Sequence, residues 1–269
     1  MQTEKVLDHI VSWLKDYAVR ANMKGFVIGI SGGIDSAVTS TLCARTGLPL
    51  LCLEMPIHQA KNQADRASGH IDWLKGNYGN VSSTLVDLTP VFDSFMDSLP
   101  KVANEEDRFM SLANTRARLR MTTLYYFAAL DKLLVAGTGN KIEDFGVGFY
   151  TKYGDGGVDL SPIADLLKSE VYLLAEAMGI NSDIVRAAPT DGLWGDDRSD
   201  EDQLGASYPE LEWAMEMIEN GRTENDFHGR EQEVIQIYKR LNRANQHKMI
   251  PIPVCEVPRN LKTTSHPRT

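Results

Sequence analysis

Phe26-Val-Ile-Gly-Ile-Ser-Gly-Gly-Ile-Asp-Ser-Ala-Val38 joins a continuous apolar run to two adjacent glycines and then to a helix-like segment. An apolar run cut off by Gly32-Gly33 and followed by Ala-Val-Thr-Ser-Thr-Leu predicts a buried strand over 26–30. A tight turn follows, and a helix opens at Asp35 or Ser36. Adjacent glycines let the backbone approach a ligand, and a helix N-terminus offers unpaired N–H groups and positive dipole to an anion. Ser31 and Ser36 add hydroxyls on either side. The segment reads as a phosphate cradle. A glycine turn with an Asp/Ser helix cap explains any one of these residues, but not six of them together.

Three other loops compete. The lysine-bearing phosphate loop is excluded because no Lys-Ser/Thr follows the glycines, and the dinucleotide fingerprint fails because position 31 is Ser. Gly29-Ile-Ser31-Gly-Gly33 fits a nucleophile elbow, yet only 30 residues precede Ser31 and they read mostly as one helix. That leaves no room for the strands and oxyanion loop of such a hydrolase. What remains, Ser31-Gly32-Gly33-Ile34-Asp35-Ser36, resembles the pyrophosphate loop of the N-type ATP pyrophosphatases, which cleave ATP between the α- and β-phosphates. A leaving pyrophosphate held by backbone amides, hydroxyls and Mg²⁺ needs no lysine in the loop. Asp35 then helps hold the metal, since Mg²⁺ takes one or two carboxylates plus phosphate oxygens.

Around this loop, 269 residues with 42% hydrophobic content suffice for one large α/β domain or two small ones. A net charge of −9 argues against nucleic acid as the main partner. The first residues lack the apolar core of a signal peptide and no run is long enough to span a bilayer, which points to the cytoplasm and away from membranes. Cys43, Cys52 and Cys255 show no C-x-x-C pairing and read as buried, inert thiols.

Helical spacing of Val6, Ile10, Trp13, Leu14 and Tyr17 predicts a helix over 3–22. Further strands are predicted at 48–55, 81–87 and 133–137, with helices to about 45, over 60–74 and over 104–130. Strands alternating with helices predict an α/β, doubly wound parallel sheet with ligands at the strands' carboxyl ends. Without a repeat or low-complexity linker, a single domain over 1–269 is the expectation.

Several segments fall at that sheet edge. Gln59, after the second strand, offers an amide to an adenine edge. The 104–130 helix puts Met110, Ala113, Ala117, Met121, Leu124 and Ala128 on one packed face, suited to a subunit interface. Asn114 and Arg118 share one side of it, as do Arg116 and Arg120, although mid-helix arginines are usually solvated. Gly137-Thr-Gly-Asn-Lys-Ile-Glu-Asp144 places Thr138 near a base or ribose and Glu143 opposite Asp35 as a second metal carboxylate. Lys152 and Asp155 flank the turn of Thr151-Lys-Tyr-Gly-Asp-Gly-Gly157. A helix is expected from Pro162, with Lys168 in or near its first turn. A cation there opposes the helix dipole by about 0.3–1 kcal/mol, a penalty that makes sense if it meets an anion. The acidic 191–203 run reads as a mobile loop, either a lid or a solvated linker. Two helices follow, near 207–219 and 230–245, and then an extended tail from Gln246 to Pro253.

Together these motifs resemble ammonia-dependent NAD synthetases, members of an adenine-nucleotide alpha-hydrolase-like class. The matches are SGGIDS (31–36), Asn114 and Arg118, GTGNKIE (137–143), TKYGDGG (151–157), Lys168, APT (188–190) and HK (247–248), nearly the whole chain. The resemblance implies a homodimeric ligase that joins ATP, deamido-NAD and ammonia. It assigns Ser31, Gly32, Gly33, Ile34, Asp35 and Ser36 to the phosphates, Ile34 through its backbone alone. Gln59, Arg118, Thr138, Lys168 and Thr190 fall to ATP. Asn114, Lys152, Asp155, His247 and Lys248 fall to deamido-NAD, and Asp35 and Glu143 to Mg²⁺. Asp155, Lys168 and Asp35 are the implied catalytic groups, Asp155 acting on ammonia. In the family pattern seven residues separate the metal Glu from the Thr of TKYGDGG, whereas Glu143 to Thr151 is eight. Counting back from Thr151 therefore lands on Asp144, and the two neighbours stand as alternatives, Glu143 preferred. Glutamine-using members carry a large extra amidase domain for which the chain has no room, so ammonia itself is the expected nitrogen source.

Overall fold

The computed structural model describes residues 1–187 and 199–262. Strands β1 (Gly25–Gly29), β2 (Leu50–Glu54), β3 (Val81–Leu85) and β4 (Leu133–Val135) form one all-parallel sheet in the order β3-β2-β1-β4. All four predicted strands are present. Phe26 and Ile28 enter the core on one face while Val27 enters it on the other, which is why these strands are apolar throughout rather than alternating. Helices α1 (Thr3–Arg20), α2 (Ile34–Arg45) and α3 (Lys61–Asn77) cover the first face. The other is covered by α4 (Thr89–Ser98) and the long α5 (Glu105–Asp131). The sheet is doubly wound.

The chain moves outward from β1 to β2 to β3, then returns through α4 and α5 to lay β4 on the opposite side of β1. The strand order therefore reverses between β1 and β4. Parallel sheets bind ligands in the crevice at the carboxyl ends of such a pair. One mouth of the crevice is the phosphate loop after β1 and the other is Gly137-Thr138-Gly139 after β4.

Three local expectations are corrected. No helix starts at Pro162: residues 162–166 are turns, with Ile163 fully buried and Leu166 O accepting from Lys141 N at 2.8 Å. Tertiary pairing takes the backbone there, so α6 (Lys168–Ala177) begins six residues later, followed by α7 (Ser182–Val185). After α8 (Asp200–Leu204) and α9 (Tyr208–Glu219), α10 (Gly229–Met249) runs past the expected end at 245. Gln246–Met249 are helical, and extension begins only at Ile250, before Pro251, as the residue preceding a proline requires; α11 (Arg259–Lys262) follows. Finally, Cys43 and Cys52 are buried as expected, but Cys255 is exposed. A second cluster, built from Ile142, Val147, Leu211, Val234 and Ile235, ties α9 and α10 to the segment after β4.

Candidate active site

Gly32 sits at φ +82°, and a β-carbon there would lie 2.6 Å from Gln63 O, so only glycine lets α3 pack this tightly on the loop. Ser36 Oγ donates to Gly33 O at 2.9 Å, and Ser31 Oγ accepts from Gly33 N at 3.2 Å and lies 3.1 Å from Ser36 Oγ. These bonds close the loop on itself. No side chain caps α2 at Gly33, so its first N–H groups face the crevice as an anion cradle. Among the described residues no histidine touches Ser31. A serine nucleophile needs an adjacent base, and the hydrolase elbow falls.

Lys168, 3% exposed, occupies the first position of α6 and meets two carboxylates: Asp35 Oδ2 at 2.5 Å and Glu143 Oε1 at 3.0 Å. Tyr208 OH donates to the same Glu143 oxygen at 2.5 Å. The fully buried Asn140 donates to Asp35 Oδ1 at 3.3 Å and accepts from Glu143 N at 3.1 Å. Burial raises the Asp35 pKa despite the ammonium beside it. Burial pushes Glu143 up as well, but Lys168 and the Tyr208 hydroxyl outweigh it and hold this carboxyl below its usual range. Burial disfavours the Lys168 charge, yet its two anionic neighbours prevail and keep it protonated. The group carries one ammonium against two carboxylates, poised at the mouth of the phosphate loop.

The longer spacing from Glu143 to Thr151 has a structural counterpart. Ile142–Val147 wind as a π-turn, a geometry that accommodates one extra residue in a helical turn. Glu143 points to Lys168, opposite Asp35. Asp144 lies against Gly139, where a β-carbon would come within 2.0 Å of its Oδ1. Burial first, then the charges of Glu143, Asp155 and Asp35, push the Asp144 carboxyl up to about 8.

A cleft of about 610 Å³ runs from this group across the sheet edge. Of the sequence-derived candidates, Ser31 to Ser36, Gln59, Asn114, Thr138, Glu143, Asp155, Lys168 and Lys248 all line it. Asp155 Oδ1 accepts from Thr151 N at 3.0 Å, and burial raises its pKa. Thr151 Oγ1 donates to Asn114 Oδ1 at 2.6 Å, tying α5 to the same turn. Arg118, Lys152 and His247 do not line it, and Arg118 and His247 are exposed: Arg118 donates to Lys152 O at 3.4 Å, and Lys152 Nζ donates to His247 O at 2.5 Å. Thr190 lies outside the described residues, as does the 191–198 part of the acidic run; Ser199–Gln203 caps and opens α8.

Two residues that hold the site together escaped the sequence reading. Arg120, placed with Arg116 as a helix-face arginine, donates to Gln59 Oε1 at 2.9 Å and to Met55 O at 3.0 Å, and burial lowers its pKa to about 10. Tyr208, the partner of Glu143, begins a helix whose capping box, Ser207 to Glu210, marks a helix start but not a site. Among the described residues no three His, Cys, Asp or Glu side chains converge to hold a metal unaided.

Residues 6–251, most of the chain, match the NAD synthase family model. The protein belongs to the NAD synthase family. Family relatives include the NH(3)-dependent NAD(+) synthetase of Carboxydothermus hydrogenoformans, 35% identical over 91% of this chain and 94% of its own. That of Methanosarcina mazei is 36% identical over 96% and 100%. Among solved structures, the NMN synthetase of Francisella tularensis superposes with a TM-score of 0.80 at 28% identity, covering 96% of this chain and 99% of that one. The NH3-dependent NAD synthetase of Campylobacter jejuni gives 0.76 at 26%, covering 95% and 100%.

Proposed function

We infer that this NAD synthase catalyses the ATP-dependent amidation of deamido-NAD with ammonia, releasing NAD, AMP and pyrophosphate as the final step of NAD formation. The observation that carries it is the Lys168–Asp35–Glu143 group facing the loop that would grip pyrophosphate. In the first step an oxygen of the nicotinate carboxylate attacks the α-phosphorus. The α–β bridging P–O bond breaks, leaving an acyl adenylate and pyrophosphate. Backbone N–H groups of Gly32, Gly33, Ile34 and Asp35, with the Ser31 and Ser36 hydroxyls, would take the pyrophosphate charge. Lys168 and Thr190 would offset charge developing on the phosphates. Gln59, Arg118 and Thr138 would hold the ATP base and sugar. In the second step ammonia attacks the acyl carbon and AMP leaves. Asp155, lining the cleft and held by Thr151 N, would take a proton from the attacking nitrogen. Asn114, Lys152, His247 and Lys248 would hold deamido-NAD.

Mg²⁺ suits the donor set through the oxygens of Asp35 and Glu143 that Lys168 does not take, and it would complete its shell with phosphates and water. When bound it would neutralise phosphate charge. The relatives' names and near-complete mutual coverage support ammonia as the nitrogen source. A single-domain homodimer joined through α5, working in the cytoplasm, completes the reading; no described helix is long and apolar enough to cross a membrane.

The Francisella tularensis match favours a second substrate, nicotinate mononucleotide. One assay tests both: protein, ATP, Mg²⁺ and ammonium with either acid, measuring amide product, AMP and pyrophosphate. NAD with equimolar AMP and pyrophosphate is expected. Preference for the mononucleotide would reassign the substrate, and ADP or no turnover would overturn the ligase reading.

A further inference from the structure

The π-turn at Ile142–Val147, like any helix, ends in carbonyls with no partner inside the turn. Side chains from one face of α10 take these carbonyls in succession. Asn242 Nδ2 donates to Gly146 O at 2.7 Å and Asn245 Nδ2 to Val147 O at 2.8 Å. Lys248 Nζ donates to Gly148 O at 2.9 Å and Tyr150 O at 2.8 Å. The three donors recur every third residue, the spacing that keeps side chains on one side of a helix. The approach is close: a β-carbon at Gly148 would lie 2.4 Å from Asn245 Cβ. Lys152 Nζ reaches back to His247 O, fastening the segment's far end. The clamped stretch carries Glu143 at its start and leads into Thr151 and Asp155.

We propose that Asn242 and Asn245 are positioning residues of the amidation reaction. Through the backbone of the π-turn they fix Glu143 against Lys168 and aim the following segment so that Asp155 faces the acyl site. The need for them arises because Gly146 O and Val147 O lie in the last two residues of the turn, where no partner remains within it. Neither amide is required to dock α10, which is held by Val234, Ile235 and Tyr238, all buried in the second cluster. Truncation to alanine also keeps the Asn245 Cβ contact with Gly148.

This inference rests on the ligase reading, and the native protein is the control for it. Asn242→Ala/Asn245→Ala should fold with native helical content and lose kcat by at least ~10-fold, as small displacements of reacting groups do. KM for ATP should stay within about twofold, since the phosphate loop is untouched. Backbone hydrogen exchange over residues 143–152 should accelerate. An unchanged kcat in the folded variant overturns the proposal, and so does a loss of kcat without faster exchange in that segment. Should the double variant fail to fold, Asn242→Ala alone is read the same way. Should the native protein make no amide product, the ligase reading fails separately, and native-like exchange in the variants would still overturn the clamp.

Discussion

Lys168 opens α6 against the helix dipole, and the two carboxylates it meets explain why a cation is kept there. Removing one partner of a buried ionic group leaves uncompensated charge, at a cost of about 3–5 kcal/mol. Lys168→Met should therefore lower stability in urea by that order and, where still folded, cut turnover at least ~100-fold. Native turnover in a folded variant would remove Lys168 from the chemistry. Asp144 makes the complementary case, a carboxyl held near 8 instead of 3.8. Its folded pKa lies above its unfolded one, so it costs nothing below about pH 4, destabilises progressively up to about pH 8, and costs a constant amount above. Asp144→Asn should melt higher than the native protein at pH 8.5, with the gap closing as the pH falls towards 4. A gap independent of pH would show that Asp144 is not held protonated.

At the scale of elements, what was legible followed from burial. Strands β1 and β2 are covered on both faces, so their apolar runs announced them. Helix α5 was legible from its length, but its expected packed face is corrected, since Met110, Ala113, Ala117, Met121 and Leu124 line the cleft and only Ala113 and Ala128 are buried. Ten-residue α4 was missed although Pro90 in its first turn and Phe92, Phe95, Met96 and Leu99 at helical spacing mark it; only Phe92 is fully buried. Motif residues after β1 and β4 were legible because their chemistry is local. Tyr208 and Arg120 were not, since each acquires its role from a partner 65 or 61 residues away, Glu143 and Gln59. The π-turn left a numerical trace, eight residues where seven were expected, without revealing that the excess would be wound into the turn. Gly148 closes it at φ +65° in contact with Asn245. Gly148→Ala should cost at least about 1–2 kcal/mol from the left-handed backbone alone. The overlap adds to that, and chemical denaturation measures the sum. A neutral substitution would mean that α10 and the turn separate more easily than their contacts imply.

Over the whole molecule, apolar surface is unevenly placed. Val91, Phe95 and Leu99 of α4 are 52%, 42% and 44% exposed, and Tyr126 and Leu130 of α5 are 63% and 62% exposed. Single exposed apolar residues are ordinary, but a set spread over two adjacent helices on one side of a sheet has the character of an interface. The proposed homodimer uses that side, and α5 links it to the cleft through the Asn114–Thr151 bond. A charge at its centre would have to be desolvated without a partner on both copies at once. Leu130→Asp should therefore convert a sedimenting dimer to a monomer at micromolar concentration while leaving the fold intact. We propose that deamido-NAD lies across the subunit boundary and ATP within one sheet edge, so KM for deamido-NAD should rise far more than KM for ATP. A native protein that sediments as a monomer at the concentration of the assay, with full turnover, would remove the dimer from the mechanism and return the entire dinucleotide site to the cleft of a single chain.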